Sequence, residues 1–234
     1  MPLVNHKCWK VPNTSSSCPK LEVKELGLRY PEAAKALFWG LSFELLAGMR
    51  MGICGPNASG KSSLIHALCG IVPHYIQAER PGEISFQGNA LHTLPLCEIY
   101  RWMAVVLTDA KAQLMLPTVE TELAFALENM AVPSLLIRSR ITKAAEFFGI
   151  IPLMDKAPHQ LSGGEQRLLL LAMAEALDSP IVLLDEPERG LSEASFNLLI
   201  KWLNALAKRG RIVILATHNP ALLASCDKLI EMGI

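Results

Sequence analysis

Eight residues from Gly55 to Ser62 have the types and the spacing of a loop that binds phosphate. They read Gly-Pro-Asn-Ala-Ser-Gly-Lys-Ser, which fits the pattern G-x-x-x-x-G-K-[ST]. Gly55 and Gly60 free the backbone to turn its N–H groups inward, where they cradle phosphate oxygens. Lys61 supplies a point charge for the β- and γ-phosphates, and the Ser62 hydroxyl can ligate Mg²⁺. The segment therefore predicts a nucleotide site.

The residues on either side of this loop agree with that interpretation. The apolar run Met51–Cys54 predicts a strand that enters the loop, and Ser63–Cys69 predicts a helix that leaves it. The N-terminus of such a helix favours anions. The other candidate phosphate contacts are Asn57, Ala58, Ser59 and Ser63.

Two carboxylates follow a second apolar run. Ile181–Leu184 is continuously apolar, as expected of a central strand in a parallel sheet, and Asp185 and Glu186 come directly after it. Ligands collect at the carboxyl ends of the strands in such sheets. Asp185 is placed to hold Mg²⁺, directly or through water, and Glu186 is a candidate to polarise an attacking water. For this segment alone, two surface acids that open a loop before Pro187 are the alternative.

A serine and two glycines come just before another predicted helix. Ser162 can cap this helix, and with Glu165 it forms an S-x-x-E capping box. A capping box does not account for the paired glycines, Gly163 and Gly164. Because glycine lets backbone N–H groups approach an anion closely, the segment is also a candidate phosphate contact.

Composition and charge narrow the class of protein. The 234 residues are 51% hydrophobic and 19% charged, which suits a globular chain with a well-buried core. A formal net charge of zero gives no basic face, so no nucleic-acid partner is expected. No segment approaches the roughly 18 uncharged apolar residues of a membrane span. The six cysteines lack C-x-x-C spacing and are interpreted as reduced thiols of a cytosolic protein.

Predicted strands alternate with predicted helices, which indicates an α/β fold with a mainly parallel sheet covered on both faces. The predicted strands are Leu21–Leu28, Trp39–Leu46, Arg50–Cys54, Gly82–Phe86, Ile181–Leu184 and Arg211–Ala216. The predicted helices after the first are Val119–Met130, Ser139–Phe148, Glu165–Leu177 and Glu193–Lys208. Residues 1–20 are predicted to be a flexible extension before a domain over 21–234, and the helix-rich segment from about 117 to 158 an inserted subdomain.

The order of these motifs resembles the nucleotide-binding domain of ABC-type ATPases. Leu161–Arg167 reads LSGGEQR and lies between the phosphate loop and the strand that ends in Asp185 and Glu186, and His218 follows the last apolar strand. The similarity covers about residues 21–234. It implies a P-loop NTPase (RecA-like) core with a mainly parallel sheet, an antiparallel β subdomain and an inserted helical subdomain.

The resemblance also implies how a second subunit contributes. In that family two domains clamp two ATP molecules head to tail, and the phosphate loop of one faces the LSGGE segment of the other. Ser162, Gly163 and Gly164 would then contact the γ-phosphate of a nucleotide held by the partner. His218 matches the family's switch histidine, which contacts the γ-phosphate. Tyr30 matches the aromatic residue that stacks on adenine, and a tyrosine at the edge of the core is the alternative.

The implied chemistry is hydrolysis of ATP with Mg²⁺. Lys61, Glu186 and His218 form the implied catalytic set, and Ser62 and Asp185 would hold the metal ion.

Within the family, two further regions resemble the energy-coupling-factor type, which powers uptake of vitamins and transition-metal ions. They are Gly70–Tyr75 with Pro81–Ile84, and Pro117–Asn129. This resemblance implies the motor subunit of an importer, peripheral on the cytoplasmic face of the membrane and docked on separate transmembrane subunits. A soluble ABC-type ATPase and a low-turnover nucleotide-binding subunit of a heterodimeric transporter are the alternatives.

The family docks its membrane partner near residues 108–116. Leu114, Met115 and Leu116 would suit that contact if they are exposed, and a buried loop is the alternative.

Three positions depart from the family pattern. Ala58 stands where the loop usually has glycine, which costs about 1 kcal/mol if the backbone φ there is positive. Thr108 replaces a glutamine that senses Mg²⁺ and water, and Ser192 replaces an aspartate that braces the opposite site. In a head-to-tail homodimer, the changes at Thr108 and Ser192 would both affect each of the two sites. In a heterodimer whose partner has the usual residues, each site would contain only one of these changes. We therefore expect a heterodimer.

Overall fold

Two sheets organise residues 19–233, the part of the chain that the computed structural model describes. The strands are β1 (Lys20–Leu28), β2 (Phe38–Leu46), β3 (Arg50–Cys54), β4 (Glu83–Phe86), β5 (Asn89–Ala90), β6 (Met103–Val106), β7 (Ile181–Asp185), β8 (Ile212–Ala216) and β9 (Lys228–Glu231). The α-helices are α1 (Lys61–Leu68), α2 (Ile71–His74), α3 (Leu96–Trp102), α4 (Val119–Asn129), α5 (Ser134–Phe147), α6 (Gly163–Leu177), α7 (Glu193–Lys208) and α8 (Pro220–Ala224).

Five strands form a parallel sheet in the order β6-β7-β8-β3-β9. Every neighbouring pair runs in the same direction, so all five carboxyl ends lie along one edge. The phosphate loop follows β3, Asp185 ends β7 and His218 follows β8. The fold therefore brings three separate candidate segments to the same edge, and the predicted parallel sheet is confirmed.

Side chains of the central strands alternate between two apolar cores, as the period of two in a strand requires. Val182 and Leu184 of β7 face a core built with α4, α5, α6 and α7. Ile181 and Leu183 face a second core, built with α1 and the other sheet. All four side chains are fully buried. Burial on both faces explains why the sequence of β7 is apolar without interruption.

The second sheet is antiparallel, in the order β2-β1-β4-β5. Leu21 and Val23 of β1 lie in the same core as Leu64 and Ile65 of α1. Tyr30 comes two residues after β1, so this sheet carries the tyrosine toward the helix that follows the phosphate loop. The antiparallel part that the resemblance implied is present.

Helices α4 and α5 fill the segment that was predicted to be helix-rich, and both pack on α6. A reciprocal capping box starts α4: the Thr121 amide donates to Oγ1 of Thr118 at 3.2 Å, and the Thr118 amide donates to Oγ1 of Thr121 at 3.1 Å. Helix α5 begins at Ser134, five residues earlier than predicted. The division of the chain into an extension, a domain and an inserted subdomain stays a prediction.

Several elements were not predicted from the sequence, namely β5, β6, β9, α2, α3 and α8. The predicted extension over residues 1–20 lies outside the described residues except for Pro19 and Lys20, and Lys20 already belongs to β1. Among the helices of residues 19–233, none is both long enough and apolar enough to span a bilayer. The four cysteines in this range are free thiols, as expected.

Candidate nucleotide-binding site

The phosphate loop joins β3 to α1 and passes through positive φ three times. Gly55, Ala58 and Gly60 have φ values of 141°, 61° and 98°. A Cβ atom at Gly55 would lie 2.4 Å from the carbonyl oxygen of Met232, and one at Gly60 would lie 2.7 Å from Cγ of Leu37. Both positions therefore require glycine for steric as well as conformational reasons. Loops of this kind let successive N–H groups converge on an anion.

Lys61 begins α1, and its ammonium group lies across the loop. The residue is 7% exposed, and Nζ donates to the carbonyl oxygens of Gly55 at 3.0 Å and of Pro56 at 2.8 Å. Because both acceptors are neutral, the lysine keeps its full positive charge for a phosphate. The positive end of α1 adds to the attraction for an anion.

The other side chains of the loop differ in exposure. Asn57 and Ser62 are exposed, whereas Ser59 is 4% exposed and its Oγ has no hydrogen-bond partner within the described range. A buried hydroxyl without a partner costs free energy, so this oxygen is available to a ligand. Ser62 directly follows Lys61, with its side chain accessible to a cation.

Tyr30 lies beside the start of α1. Its hydroxyl group donates to Oγ of Ser63 at 3.1 Å, and the residue is half-buried. The hydrogen bond fixes the ring next to the helix that carries Lys61. This position suits stacking on a nucleotide base, and that role stays a prediction.

Asp185 is 2% exposed, and its two carboxylate oxygens have different surroundings. Oδ2 accepts a hydrogen bond of 2.6 Å from Oγ1 of Thr108. Oδ1 is buried and without a hydrogen-bond partner among residues 19–233. A buried carboxylate oxygen needs a donor or a cation, and Mg²⁺ prefers carboxylate, hydroxyl and water oxygens. Asp185 and Ser62 therefore fit a magnesium ion.

Glu186 follows with a strained backbone. Its φ is 47°, an uncommon value for a residue with a side chain, and its amide donates to the carbonyl oxygen of Ala216 at 2.9 Å. The side chain is 30% exposed, and its Oε2 lies 3.4 Å from Nη1 of Arg189. The carboxylate therefore stays accessible at the edge of the sheet, where a water could approach it.

His218 is exposed on the turn between β8 and α8. The residues around it are fixed: Oγ1 of buried Thr217 donates to Oε1 of Glu188 and accepts from the Asn219 amide at 2.9 Å. The turn is thus tied to the segment that follows Asp185 and Glu186, while the imidazole ring is left accessible.

Ser162, Gly163 and Gly164 form the N-terminus of α6. The capping box is confirmed: the Ser162 amide and hydroxyl donate to Oε2 of Glu165 at 2.8 Å and 2.7 Å, and this hydrogen bonding lowers the pKa of the Glu165 carboxyl. A Cβ atom at Gly164 would lie 2.8 Å from the carbonyl oxygen of Gly190. Ser162 and Gly163 are exposed. The described hydrogen bonds of this segment do not join it to the phosphate loop.

Comparison with known proteins places these motifs in one family. A family model described as "ABC transporter" matches residues 38–189, which is more than half of the chain. The chain belongs to the ABC transporter family. A second model, described as an AAA domain, matches residues 156–224, less than a third of the chain. The chain thus carries an ABC ATP-binding domain, and ABC domains of this kind are P-loop ATPases.

Relatives carry names of importers as well as general names. The energy-coupling factor transporter ATP-binding protein EcfA of Methanocaldococcus jannaschii is 30% identical over 91% of this chain and 75% of its own length. The cobalt import ATP-binding protein CbiO of Syntrophus aciditrophicus is 30% identical over 91% and 74%. An ABC transporter ATP-binding protein of Methanosarcina acetivorans is 32% identical over 85% of this chain, which spans only 38% of that relative.

Solved ABC structures share the fold. The ATP-binding subunit of an ABC transporter superposes with a TM-score of 0.79 at 23% identity, over 91% of this chain and 85% of the other. CbiO1 of Clostridium perfringens, described as part of the ABC transporter complex cbiONQ, gives 0.76 at 27% identity over 91% and 84%. The ABC ATPase architecture predicted from the sequence is confirmed.

Four ABC-domain residues at the site were not singled out from the sequence. Arg167 donates to two carbonyl oxygens of the Thr108 segment, and Gln113 donates to and accepts from the same segment. Glu188 accepts a hydrogen bond from Thr217, and Arg189 forms an ion pair with Glu186. The signal for Arg167 is a charged residue at the start of the apolar run LLLLA. Nothing in the sequence marks the partners of Gln113.

Proposed function

We propose that this chain binds ATP with Mg²⁺ and hydrolyses it as the motor subunit of an energy-coupling-factor-like importer. The observation that carries the proposal is the meeting of the phosphate loop, Asp185, Glu186 and His218 at one edge of the parallel sheet. The relatives named for energy coupling and cobalt import support the type of transporter.

Each residue has a chemical task in this proposal. The loop N–H groups and Lys61 bind the β- and γ-phosphates, and Tyr30 stacks on the base. Glu186 orients the attacking water and accepts its proton, a contribution worth about 10²–10⁴ in rate for a well-placed base. Exposed His218 donates to the γ-phosphate. Mg²⁺, when bound by Ser62 and Asp185, supplies positive charge against the phosphate oxygens.

A second subunit completes each site. Exposed Ser162 and Gly163, at the N-terminus of α6, suit contact with a phosphate held by the partner. ATP that binds the closed dimer more tightly than the open one drives closure, and hydrolysis releases it. Thr108 and Ser192 favour a heterodimer, in which a partner with the usual residues leaves one change at each site instead of two.

The proposed contact with transmembrane subunits lies on the loop before α4, at the cytoplasmic face. Met115 is 76% exposed, whereas Leu114 and Leu116 are half-buried. The prediction that all three apolar residues are exposed is therefore wrong. Buried Glu122 holds the loop, because its Oε1 accepts from the amides of Met115 and Leu116. The Met115 side chain is thereby presented to a partner.

The test is Glu186→Gln in the complex with its partner ATPase. We expect ATP binding to be kept and phosphate release to fall by at least 100-fold, because the amide cannot accept a proton. Arg209→Gln, which removes an ion pair with Glu175 and Asp178 away from the site, is the control and should hydrolyse ATP normally. Unchanged hydrolysis in Glu186→Gln would show that this chain is not the catalytic subunit.

A low-turnover subunit is the second candidate, and one contact favours it. Arg189 lies 3.4 Å from Oε2 of Glu186, where its guanidinium group occupies a position on the carboxylate that the attacking water would otherwise use. Arg189 is exposed, so the contact is weak. The Glu186→Gln comparison also decides between the candidates.

A further inference from the structure

The hydroxyl group of Thr108 donates a hydrogen bond to the carboxylate of Asp185. It comes two residues after β6, whose last residue, Val106, pairs with Leu184 of β7. This register brings Thr108 next to the end of β7, where its Oγ1 donates to Oδ2 of Asp185 at 2.6 Å. A threonine is too short to replace a glutamine as a ligand, but here it binds the carboxylate that is placed to hold the metal.

Arg167 forms hydrogen bonds with the backbone of Thr108 and of the residue before it. It lies on the second turn of α6 and is 2% exposed. Nη1 donates to the carbonyl oxygen of Leu107 at 2.7 Å, and Nη2 donates to that of Thr108 at 2.6 Å. The rigid fork of the guanidinium fits two successive carbonyl groups, which a lysine cannot do. The start of α6 is therefore connected to Asp185 through Thr108.

Arg167 donates its described hydrogen bonds to neutral carbonyl groups rather than to carboxylates. Burial is the main reason that the pKa of its guanidinium is lowered, and the charges of Asp185, Glu186 and Glu188 oppose that shift. A buried arginine close to three carboxylates would ordinarily form an ion pair. Both of its described hydrogen bonds go to neutral carbonyl groups instead. The arginine thus fixes a backbone segment, and the three carboxylates keep their other hydrogen-bond partners.

Gln113 fixes the same segment from its other side. Its Oε1 accepts from the Leu107 amide at 2.7 Å, and its Nε2 donates to the Val105 carbonyl oxygen at 3.1 Å. With Arg167 on the carbonyl groups, residues 105–108 have little freedom to move. The Thr108 hydroxyl is therefore a fixed donor, and Oδ1 of Asp185 is the carboxylate oxygen left for a cation.

We propose that Thr108 and Arg167 are positioning residues that aim Asp185 at the metal ion bound with ATP, an inference that rests on the proposed function. Groups that orient a metal ligand typically change metal affinity about 10–100-fold when they are removed. The start of α6, which carries Ser162–Gly164, is thereby linked to the metal carboxylate of the same subunit.

The first experiment compares Thr108→Val with Thr108→Ser by calorimetric titration of ATP, with Mg²⁺ and with a chelator. The ratio of the two affinities measures how much the metal contributes to binding. We expect this ratio to fall about 10-fold in Thr108→Val, which keeps the shape and loses the hydroxyl. Thr108→Ser keeps the hydroxyl and should keep the ratio. Thr93→Val, which removes a hydroxyl bonded to the Ala90 carbonyl oxygen, is the matched control.

The second experiment tests whether Arg167 acts through Thr108. Arg167→Lys keeps the buried charge but cannot hold both carbonyl groups. The ratio of the ATP affinity with Mg²⁺ to that with the chelator should therefore fall several-fold. In the Thr108→Val background the same change should have no further effect, because the contact that it supports is already lost. Additive losses would overturn the connection between the two residues.

The outcomes separate this inference from the proposed function. If Thr108→Val keeps the wild-type ratio, or if Thr108→Ser loses as much as Thr108→Val, the hydroxyl does not aim Asp185 and the inference is wrong. If no variant binds ATP even with Mg²⁺, the proposed function itself is wrong. Equal ATP affinity with the chelator in all variants would show that the changes leave the phosphate loop intact.

Discussion

Single residues at this site show where function overrides local preference. Ala58 and Glu186 both have positive φ, at 61° and 47°, although neither is glycine. Left-handed backbone costs an ordinary residue roughly 1–2 kcal/mol, so these residues persist because their surroundings determine the conformation. For Ala58 the sequence suggested this cost, since the family usually has glycine there, and the φ value bears it out. For Glu186 nothing in the sequence signalled it.

Ala58→Gly should stabilise the protein. Relief of left-handed strain gains about 1–2 kcal/mol, and the added freedom of the unfolded chain offsets about 0.5–1 kcal/mol of it. A net gain near 1 kcal/mol corresponds to a rise of about 2–4 °C in the melting temperature. Differential scanning calorimetry measures it. Gly60→Ala makes the reverse change at φ 98° and should lower the melting temperature, because its Cβ would press on Leu37. Two shifts of the same sign would contradict this account.

Secondary-structure elements were predictable where one pattern governs them. Helix α7 was predicted with its observed bounds, Glu193–Lys208, and β7 differs from its prediction by one residue. Strand β6 was missed, although Met103–Val106 is a short apolar run, because such runs fit a helix or a strand equally well. Side-chain partners such as Arg167 with Thr108 could not be predicted, because they join positions about 60 residues apart through the packing of α6 against β6.

The N-terminus of α6 gives a prediction at this scale. Gly164 packs on the backbone after Glu186, where an added Cβ would lie 2.8 Å from the Gly190 carbonyl oxygen, whereas nothing lies within 4 Å of a Cβ at Gly163. Gly164→Ala should therefore cost about 1–3 kcal/mol, as overpacking against backbone does. Gly163→Ala should be neutral or slightly stabilising, because alanine favours the helix. Thermal unfolding of both variants checks this, and equal melting temperatures would refute the close contact.

Under the proposed function, the whole molecule combines two half-sites. The edge of the parallel sheet carries the phosphate loop, Asp185, Glu186 and His218, and the exposed N-terminus of α6 would contact another subunit. The hydrogen bonds through Arg167 and Thr108 join these half-sites within one chain. We propose that such a domain dimerises when nucleotide fills the gap between two subunits. Under this proposal, residues such as Ser192, which would contribute to the opposite site, decide whether the two subunits are identical.

Ser192 allows the pairing to be tested without disturbing the fold. It caps α7 by accepting a hydrogen bond from the Ser195 amide at 3.3 Å, and aspartate caps a helix equally well. We expect the wild-type chain with ATP and Mg²⁺ to stay monomeric and hydrolyse slowly, and Ser192→Asp to increase ATP-dependent self-association, because aspartate restores the brace on the opposite site. Light scattering and phosphate release measure both. Ser195→Asp adds the same charge one turn along α7 and should not promote dimers. Brisk hydrolysis by a wild-type homodimer would refute the heterodimer.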